Sequence, residues 1–156
     1  MRILHLVHDF PPDGPGGTQE YVAGLAALQR AAGHDMGVIA GSQRSAAGGS
    51  LRLEQHAGVR VWRLLRELPA ESHTGDLGSA RIGRELERLA LEFAPDVVHL
   101  HHWHALTNDA VRRLAARGFP VLVTLHDLFV TCPRHFRMPD HRSLCPPEAS
   151  LARCAA

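Results

Sequence analysis

The sequence predicts an α/β fold, in which an open parallel sheet carries helices on both of its faces. Short, almost wholly apolar runs alternate with amphipathic stretches along most of the chain. Continuous apolar runs are typical of strands buried on both sides, and strands that alternate with helices are typical of parallel sheets. The 156 residues, of which 45% are hydrophobic, suffice for one globular domain with a buried core.

The first elements are a strand, a helix and a second strand. Ile3–Val7 is an apolar run, and a loop rich in proline and glycine follows it at residues 11–17. Thr18 is placed to cap a helix that stops at Gly33, and Met36–Ala40 is the next strand. Together these elements predict the opening of a right-handed parallel βαβ unit.

The remaining elements are separated by weaker segments. After Gly41 the chain is rich in glycine, serine and charge, and residues 66–78 form a weakly patterned surface segment. Ser79 is placed to cap the clearest helix of the chain, which Pro95 closes. The other predicted strands are Leu51–Leu53, Val59–Leu64, Val97–His101 and Val121–His126, and the last predicted helix is Leu106–Arg117.

Charge and composition exclude several classes of protein. The net charge is +1 and no basic tract is present, so we expect no nucleic-acid partner. All 17 basic residues are arginines, and the lack of lysine excludes Schiff-base, P-loop and kinase chemistry. The chain starts with neither a signal peptide nor a membrane span, which predicts a cytoplasmic protein. Its three cysteines are an odd set with no close pair, which argues against a secreted disulfide framework.

Polar residues follow three of the predicted strands at the point where each strand ends. They are His8 and Asp9, residues 101–104, and His126 and Asp127. Ligands of open parallel sheets bind beyond the carboxyl ends of the strands, so these residues are candidates for a site. A single histidine of this kind is more often a hydrogen-bonded structural residue, but three such groups on one edge favour a function for at least one.

A glycine loop, Gly14–Thr18, lies between the first strand and the first helix. Its backbone N–H groups and the positive end of the helix can receive a phosphate, a sugar hydroxyl or a carboxylate. The alternative is a flexible turn. The loop is not a dinucleotide fingerprint, because Gln19 stands where the third glycine would be, and a nicotinamide dehydrogenase is disfavoured.

Five segments in order along the chain carry a family resemblance. They are MRILHLVHDFPP at 1–12, GGTQEYV at 16–22, GVRV at 58–61, PDVVHLH at 95–101 and VTLHD at 123–127. In this order they resemble the N-terminal part of the GT-B glycosyltransferases of family 4. The resemblance covers nearly the whole chain.

The resemblance implies the N-terminal, Rossmann-like half of a GT-B fold, which binds the acceptor while a C-terminal domain binds a nucleotide-sugar donor. Residues 1–127 would form this acceptor-side domain, and residues 128–156 a loop segment that continues it. The donor-binding domain would lie outside the 156 residues, so the chain alone is expected to be inactive. Transfer with retention of configuration is implied, without a metal or another cofactor.

The resemblance also implies roles for individual residues. Gly16 and Gly17 match a glycine loop that approaches the donor phosphate and the acceptor, and His126 matches a histidine beside the transferred sugar. His126 is therefore the catalytic candidate, by hydrogen bonding a sugar hydroxyl or polarising the reacting centre. The candidates for substrate binding are Gly16, Gly17, Thr18, His101, His104 and Asp127, and no residue is assigned as a metal ligand.

The tail after residue 127 leaves two questions open. Cys132, Cys145 and Cys154, with His135 and His141, could bind zinc, but no C-x-x-C pair is present and loop cysteines are the favoured interpretation. Three arginines could meet a lipid-linked phosphate acceptor and bring the chain to the inner face of the membrane, although ordinary solvated charge is slightly favoured; they are Arg134, Arg137 and Arg142.

The alternative to an enzyme is a stand-alone, non-catalytic module that binds a carbohydrate or a partner.

Overall fold

The computed structural model of the protein describes residues 1–42, 50–65, 80–130, 132 and 144–145. Two compact units divide the chain, Met1–Thr124 and Leu125–Ala156. The first unit holds every helix and strand of the described residues. In chain order these are β1 (Arg2–Val7), α1 (Gly17–Ala31), β2 (Asp35–Ala40), β3 (Ser50–His56), β4 (Val59–Leu65), α2 (Ala80–Phe93), β5 (Val97–Leu100), α3 (Ala110–Ala116) and β6 (Val121–Val123).

The strands form one sheet in the order β3-β4-β2-β1-β5-β6. Five of them, β1, β2, β4, β5 and β6, are parallel, which confirms the predicted α/β class. The prediction of a wholly parallel sheet is wrong for the edge strand β3, which runs antiparallel to β4. Ala57 and Gly58 join these two strands with positive φ values of 49° and 77°, as a two-residue hairpin turn requires.

Helices cover both faces of the first unit's sheet, as predicted. Alternate residues of β1 point to opposite faces. Ile3 and Val7 pack in one buried cluster with Val22 and Ala26 of α1. Residues from β1, α2 and α3 meet in a second buried cluster on the other face, among them Leu4, Leu6, Leu86, Phe93 and Leu114. None of the helices in the described part of the chain is long and apolar enough to cross a bilayer.

Helix α1 ends close to its predicted stop but begins differently. Gly33 follows its last turn with a φ of +86°, and its N–H donates to the Arg30 carbonyl at 2.9 Å, so the stop signal is confirmed. At the other end Gly16 is the N-cap residue and Gly17 is already helical, so the prediction that Thr18 caps α1 is wrong. The bare glycine loop leads directly into the helix.

Two further predicted boundaries are wrong. Helix α3 begins at Ala110 rather than at residue 106, because Ala105 adopts a left-handed φ of 63° and Thr107 Oγ1 donates to Asp109 Oδ1 before the first turn. Strand β6 ends at Val123 because β5, its partner, ends at Leu100. The predicted cap at residue 79 and the segment 66–78 lie outside the described residues.

Candidate functional site

The carboxyl ends of the parallel strands lie along one edge of the sheet in the first unit. The N–H of Gly41, just after β2, donates to the Val7 carbonyl at 2.9 Å, and that of His101, just after β5, donates to Leu6 at 2.8 Å. The loops after β1, β2 and β5 therefore start side by side. Because ligands of open parallel sheets bind beyond this edge, the polar side chains here form the candidate site.

Gln19, in the first turn of α1, connects the glycine loop to the end of β1. Its amide Nε2 donates to His8 Nε2 at 3.0 Å, and the side chain is buried. A Cβ on Gly16 would lie 2.5 Å from Gln19 Oε1, whereas a Cβ on Gly17 would meet nothing within 4 Å. Of these two glycines, only Gly16 is therefore constrained by a neighbouring side chain.

His8 in turn contacts the loop after β5. Its ring centroid lies 4.5 Å from that of His102, and the backbone N–H of His104 donates to His102 Nδ1 at 3.1 Å. We call Gly16, Gln19, His8, His102 and His104 the strand-end cluster. It brings the predicted residues Gly16 and His104 into one connected set of contacts, with imidazole and amide groups that can hydrogen-bond hydroxyls.

Arg63, near the end of β4, holds the loop after β1 in place. Its side chain is fully buried, and its Nη1 donates to Asp9 Oδ1 at 3.0 Å while its Nη2 donates to the Phe10 carbonyl at 3.0 Å. The Nε atom lies 3.1 Å from Glu54 Oε2 and 3.5 Å from Asp13 Oδ2. One guanidinium thus fixes the segment between β1 and the glycine loop through several partners.

Two glycines allow close contacts at this edge, one with a side chain and one with backbone. A Cβ on Gly14 would lie 2.5 Å from Asp9 Cγ, the carboxylate that pairs with the buried arginine. A Cβ on Gly41 would lie 2.7 Å from the His8 carbonyl oxygen and 2.8 Å from Ala105 Cβ. A larger residue at position 14 would displace the Asp9 side chain, and one at position 41 would push the backbone of His8 and Ala105 away.

Three buried histidines lie on the face of the sheet that α1 covers: His5 of β1, His99 of β5, and His101 directly after β5. We call them the histidine trio. His5 Nδ1 lies 2.9 Å from His101 Nε2, and His5 Nε2 lies 2.8 Å from Gln29 Oε1 of α1. His99 Nε2 lies 2.8 Å from Thr124 Oγ1. The pKa of His5 is lowered to about 4, chiefly by burial and also by nearby His99, while the hydrogen bond with Gln29 opposes the shift. His5 is therefore uncharged at neutral pH.

The position of His101 bears on its predicted role in substrate binding. Its side chain is only 1% exposed and is hydrogen-bonded to His5, so it would have to leave this partner in order to touch a ligand. His104 is also buried, at 8% exposure. Substrate binding by either residue stays a prediction.

The second unit contains His126 and Asp127. Partial burial lowers the pKa of His126, and the charge of Asp127 opposes this shift. Asp127 Oδ1 accepts the backbone N–H of Phe129 at 2.8 Å. Cys132 and Cys145 are free thiols. The other tail residues with a predicted role, Arg134, His135, Arg137, His141, Arg142 and Cys154, lie outside the described residues.

Several residues of the site were not anticipated from the sequence. Arg63 interrupts an otherwise apolar run, and that interruption was a usable signal for a buried charge with partners. His99 lies two residues before the predicted residue His101, and His5 lies in the middle of another strand, so a period of two could have placed His5 and His99 on one face with His101. Gln19 and Gly41 gave no local signal, because their roles depend on distant neighbours.

Comparisons with known proteins agree with this fold. A model of the glycosyl transferase 4-like domain matches residues 16–156. The glycogen synthase of Mycobacterium tuberculosis, in strains CDC 1551 and H37Rv, is 30% identical over 142 residues. This match covers 81% of the chain and 33% of the relative, so the chain spans about a third of the length of these relatives.

Two solved structures have a similar fold. Sucrose-phosphate synthase from Thermosynechococcus elongatus matches with a TM-score of 0.59 at 20% identity, over 83% of this chain and 34% of that one. The catalytic domain of starch synthase IV from Arabidopsis thaliana, bound to ADP and acarbose, matches with a TM-score of 0.50 at 18% identity, over 81% and 34%. With the family model matching most of its length, the chain belongs to the glycosyl transferase 4-like domain family and has the Rossmann-like fold of the N-terminal half of GT-B glycosyltransferases.

Proposed function

We propose that this chain forms the acceptor-side part of a retaining, nucleotide-sugar-dependent glycosyltransferase, whose donor is held by a further domain. The observation that carries the proposal is the strand-end cluster, which gathers three histidines, an amide side chain and a bare glycine loop at the carboxyl edge of the sheet. The relatives support it by their names, since glycogen, starch and sucrose-phosphate synthases all join sugars.

The strand-end cluster suits a carbohydrate acceptor by its chemistry. Imidazole and amide groups can both donate to and accept from sugar hydroxyls, and the N-terminus of α1 adds backbone N–H donors beside Gly17. The reaction needs the acceptor hydroxyl held close to the anomeric carbon, and it needs the leaving phosphate stabilised. In this proposal the cluster serves the first need and the glycine loop contributes to the second.

His126 and Asp127 complete the proposal in the roles that the family resemblance gives them. His126 would hydrogen-bond the transferred sugar or polarise its reacting centre, for which its neutral form is suited. Asp127 would bind a substrate hydroxyl, and its bond to the Phe129 N–H fixes one of its carboxylate oxygens. Gly17 and Thr18 would contact substrate through the first turn of α1.

Titration of the 156-residue chain tests where the donor binds. We expect UDP-, ADP- and GDP-sugars to bind weakly or not at all, because the donor domain supplies their main contacts. A linear glucan oligosaccharide should instead shift the NMR signals of Gly17, Gln19 and His102, with the backbone of α2 as an unaffected reference. Tight binding of a nucleotide sugar, or shifts spread evenly over the chain, would contradict the proposal.

Replacing Gly17 by alanine separates ligand approach from folding. The new Cβ meets nothing within 4 Å, and alanine favours a helix over glycine by up to about 1 kcal/mol, so stability should be unchanged or slightly higher. Binding of the oligosaccharide should weaken, because the Cβ occupies the approach to the loop. Gly24→Ala is the matched control, since its Cβ also meets nothing within 4 Å and it lies further along α1.

Isothermal titration calorimetry measures the affinity of both alanine variants for the oligosaccharide. Loss of affinity in Gly17→Ala alone supports close approach of the ligand to the glycine loop. Equal affinity in both variants would show that the loop is only a turn between β1 and α1.

A further inference from the structure

We propose that His5, His99 and His101 form a binding site for a divalent transition-metal ion of the zinc type, which would join strands β1 and β5 on the α1 face of the sheet. One potential ligand atom from each residue lies within 4.8 Å of the others, and all three side chains are buried. Two nitrogens bound to a tetrahedral zinc are about 3.4 Å apart, given Zn–N bonds of about 2.0–2.1 Å. Small rotations of the rings would therefore close the site.

The backbone places the three rings together without strain. His5 and His99 are directly paired across β1 and β5, and His101 follows His99 by two residues, so the side chains share one face. The rings of His99 and His101 have centroids 3.9 Å apart, and those of His5 and His101 are 5.1 Å apart. A rigid central strand pair thus holds all three ligands.

The contacts around the trio resemble the outer shell of a metal site. Histidine ligands commonly donate their second ring N–H to an oxygen, which fixes the tautomer and the ring orientation. His5 Nε2 meets Gln29 Oε1 in this way at 2.8 Å, which leaves Nδ1, the atom facing His101, with its lone pair. His99 has a comparable oxygen partner in Thr124 Oγ1. A metal ion would replace the proton that His5 and His101 now share.

The ligand set selects the class of metal. Three imidazoles without a carboxylate suit zinc, copper, nickel and cobalt and do not suit magnesium or calcium. The three ligand atoms come from side chains on or directly after a central strand pair, all of them buried. A fourth position would remain for water. Tyr21 of α1, about half exposed, lies edge-on to His101 with ring centroids 5.9 Å apart, so solvent reaches this neighbour of the trio.

Titration of the chelator-treated full chain with Zn²⁺, in competition with a chromophoric chelator, tests the site. We expect about one equivalent to bind. Gln29→Ala should weaken the affinity 10- to 100-fold by removing the oxygen behind His5. His99→Gln should weaken it at least tenfold. His34→Gln and His56→Gln are control variants outside the trio and should bind zinc as the unaltered chain does.

The tail cysteines supply the competing source of zinc binding, and they are tested separately. A Cys132→Ser, Cys145→Ser and Cys154→Ser triple variant should keep its equivalent of zinc. Co²⁺ bound to the unaltered chain should give the visible d–d bands of a four-coordinate site without thiolate charge transfer, a reading that needs no folded variant. No zinc binding, loss of zinc in the triple variant or a thiolate signal would overturn the proposal.

Discussion

Replacing Arg63 by methionine is expected to lower the free energy of unfolding by about 3–5 kcal/mol in urea titrations of the chain. The side chain is fully buried, and methionine would fill its volume but leave the carboxylate of Asp9, itself 4% exposed, without its cation. The Phe10 carbonyl would lose a donor as well. An uncompensated buried charge costs more than the pair itself contributes, which is why removing one partner is so damaging.

Two further arginine variants calibrate this effect. Arg88 of α2 is about half exposed and pairs with Glu85 and Glu92 at 3.0 and 2.9 Å, so Arg88→Met should cost less than about 1 kcal/mol. The loss of stability in Arg63→Lys should lie between those of Arg63→Met and Arg88→Met, because lysine keeps the positive charge but lacks the planar guanidinium with its several donors. If Arg63→Met were no more harmful than Arg88→Met, the buried arginine would not organise the loop.

Arg63 also links stability to the candidate site. It lies outside the strand-end cluster and acts through Asp9 and the carbonyl of Phe10, which directly follow His8. In a folded Arg63→Lys variant the loop after β1 should be displaced. This variant should therefore bind an oligosaccharide acceptor more weakly. Its affinity should fall while its fold is retained, which is the behaviour of a positioning residue.

The central part of the fold follows from the sequence because its signals are local. The predicted strands Ile3–Val7 and Met36–Ala40 differ from β1 and β2 by one residue each, since an uninterrupted apolar run marks a strand buried on both faces. The antiparallel edge strand β3 was predicted only as Leu51–Leu53. Most of its residues are exposed, so its sequence lacks the run of apolar residues that marks a buried strand.

The outline of the candidate site was predictable, and its contacts were not. The topological rule for parallel sheets places His8 and residues 101–104 at one edge, and they meet there. The partners of these residues depend on pairs far apart in the chain, such as Arg63 with Asp9, 54 positions earlier. Periodicity predicts the face on which a side chain lies, but it does not identify the residue on the neighbouring element that the side chain will meet.

Replacing Gly41 by alanine is expected to destabilise the chain by about 1–3 kcal/mol and to weaken acceptor binding. Gly41 follows β2 and separates the backbone of His8 from Ala105, and its Cβ would lie 2.7 Å from one and 2.8 Å from the other. Both neighbours are held in place, since Gly41 itself donates to the Val7 carbonyl and Ala105 already has a left-handed φ of 63°. The added methyl group must therefore move backbone rather than a flexible side chain.

The displacement should be visible at the strand-end cluster, because His8 and His102 lie on the two loops that Gly41 separates. Thermal unfolding and the histidine ring signals in NMR spectra report the two consequences separately. Gly24→Ala adds the same methyl group in open space on α1 and should be neutral or stabilising, with unchanged histidine signals. If Gly41→Ala had native stability and unchanged His8 and His102 signals, the two loops would adjust independently of each other. The residues of the candidate site would then not form one coupled unit.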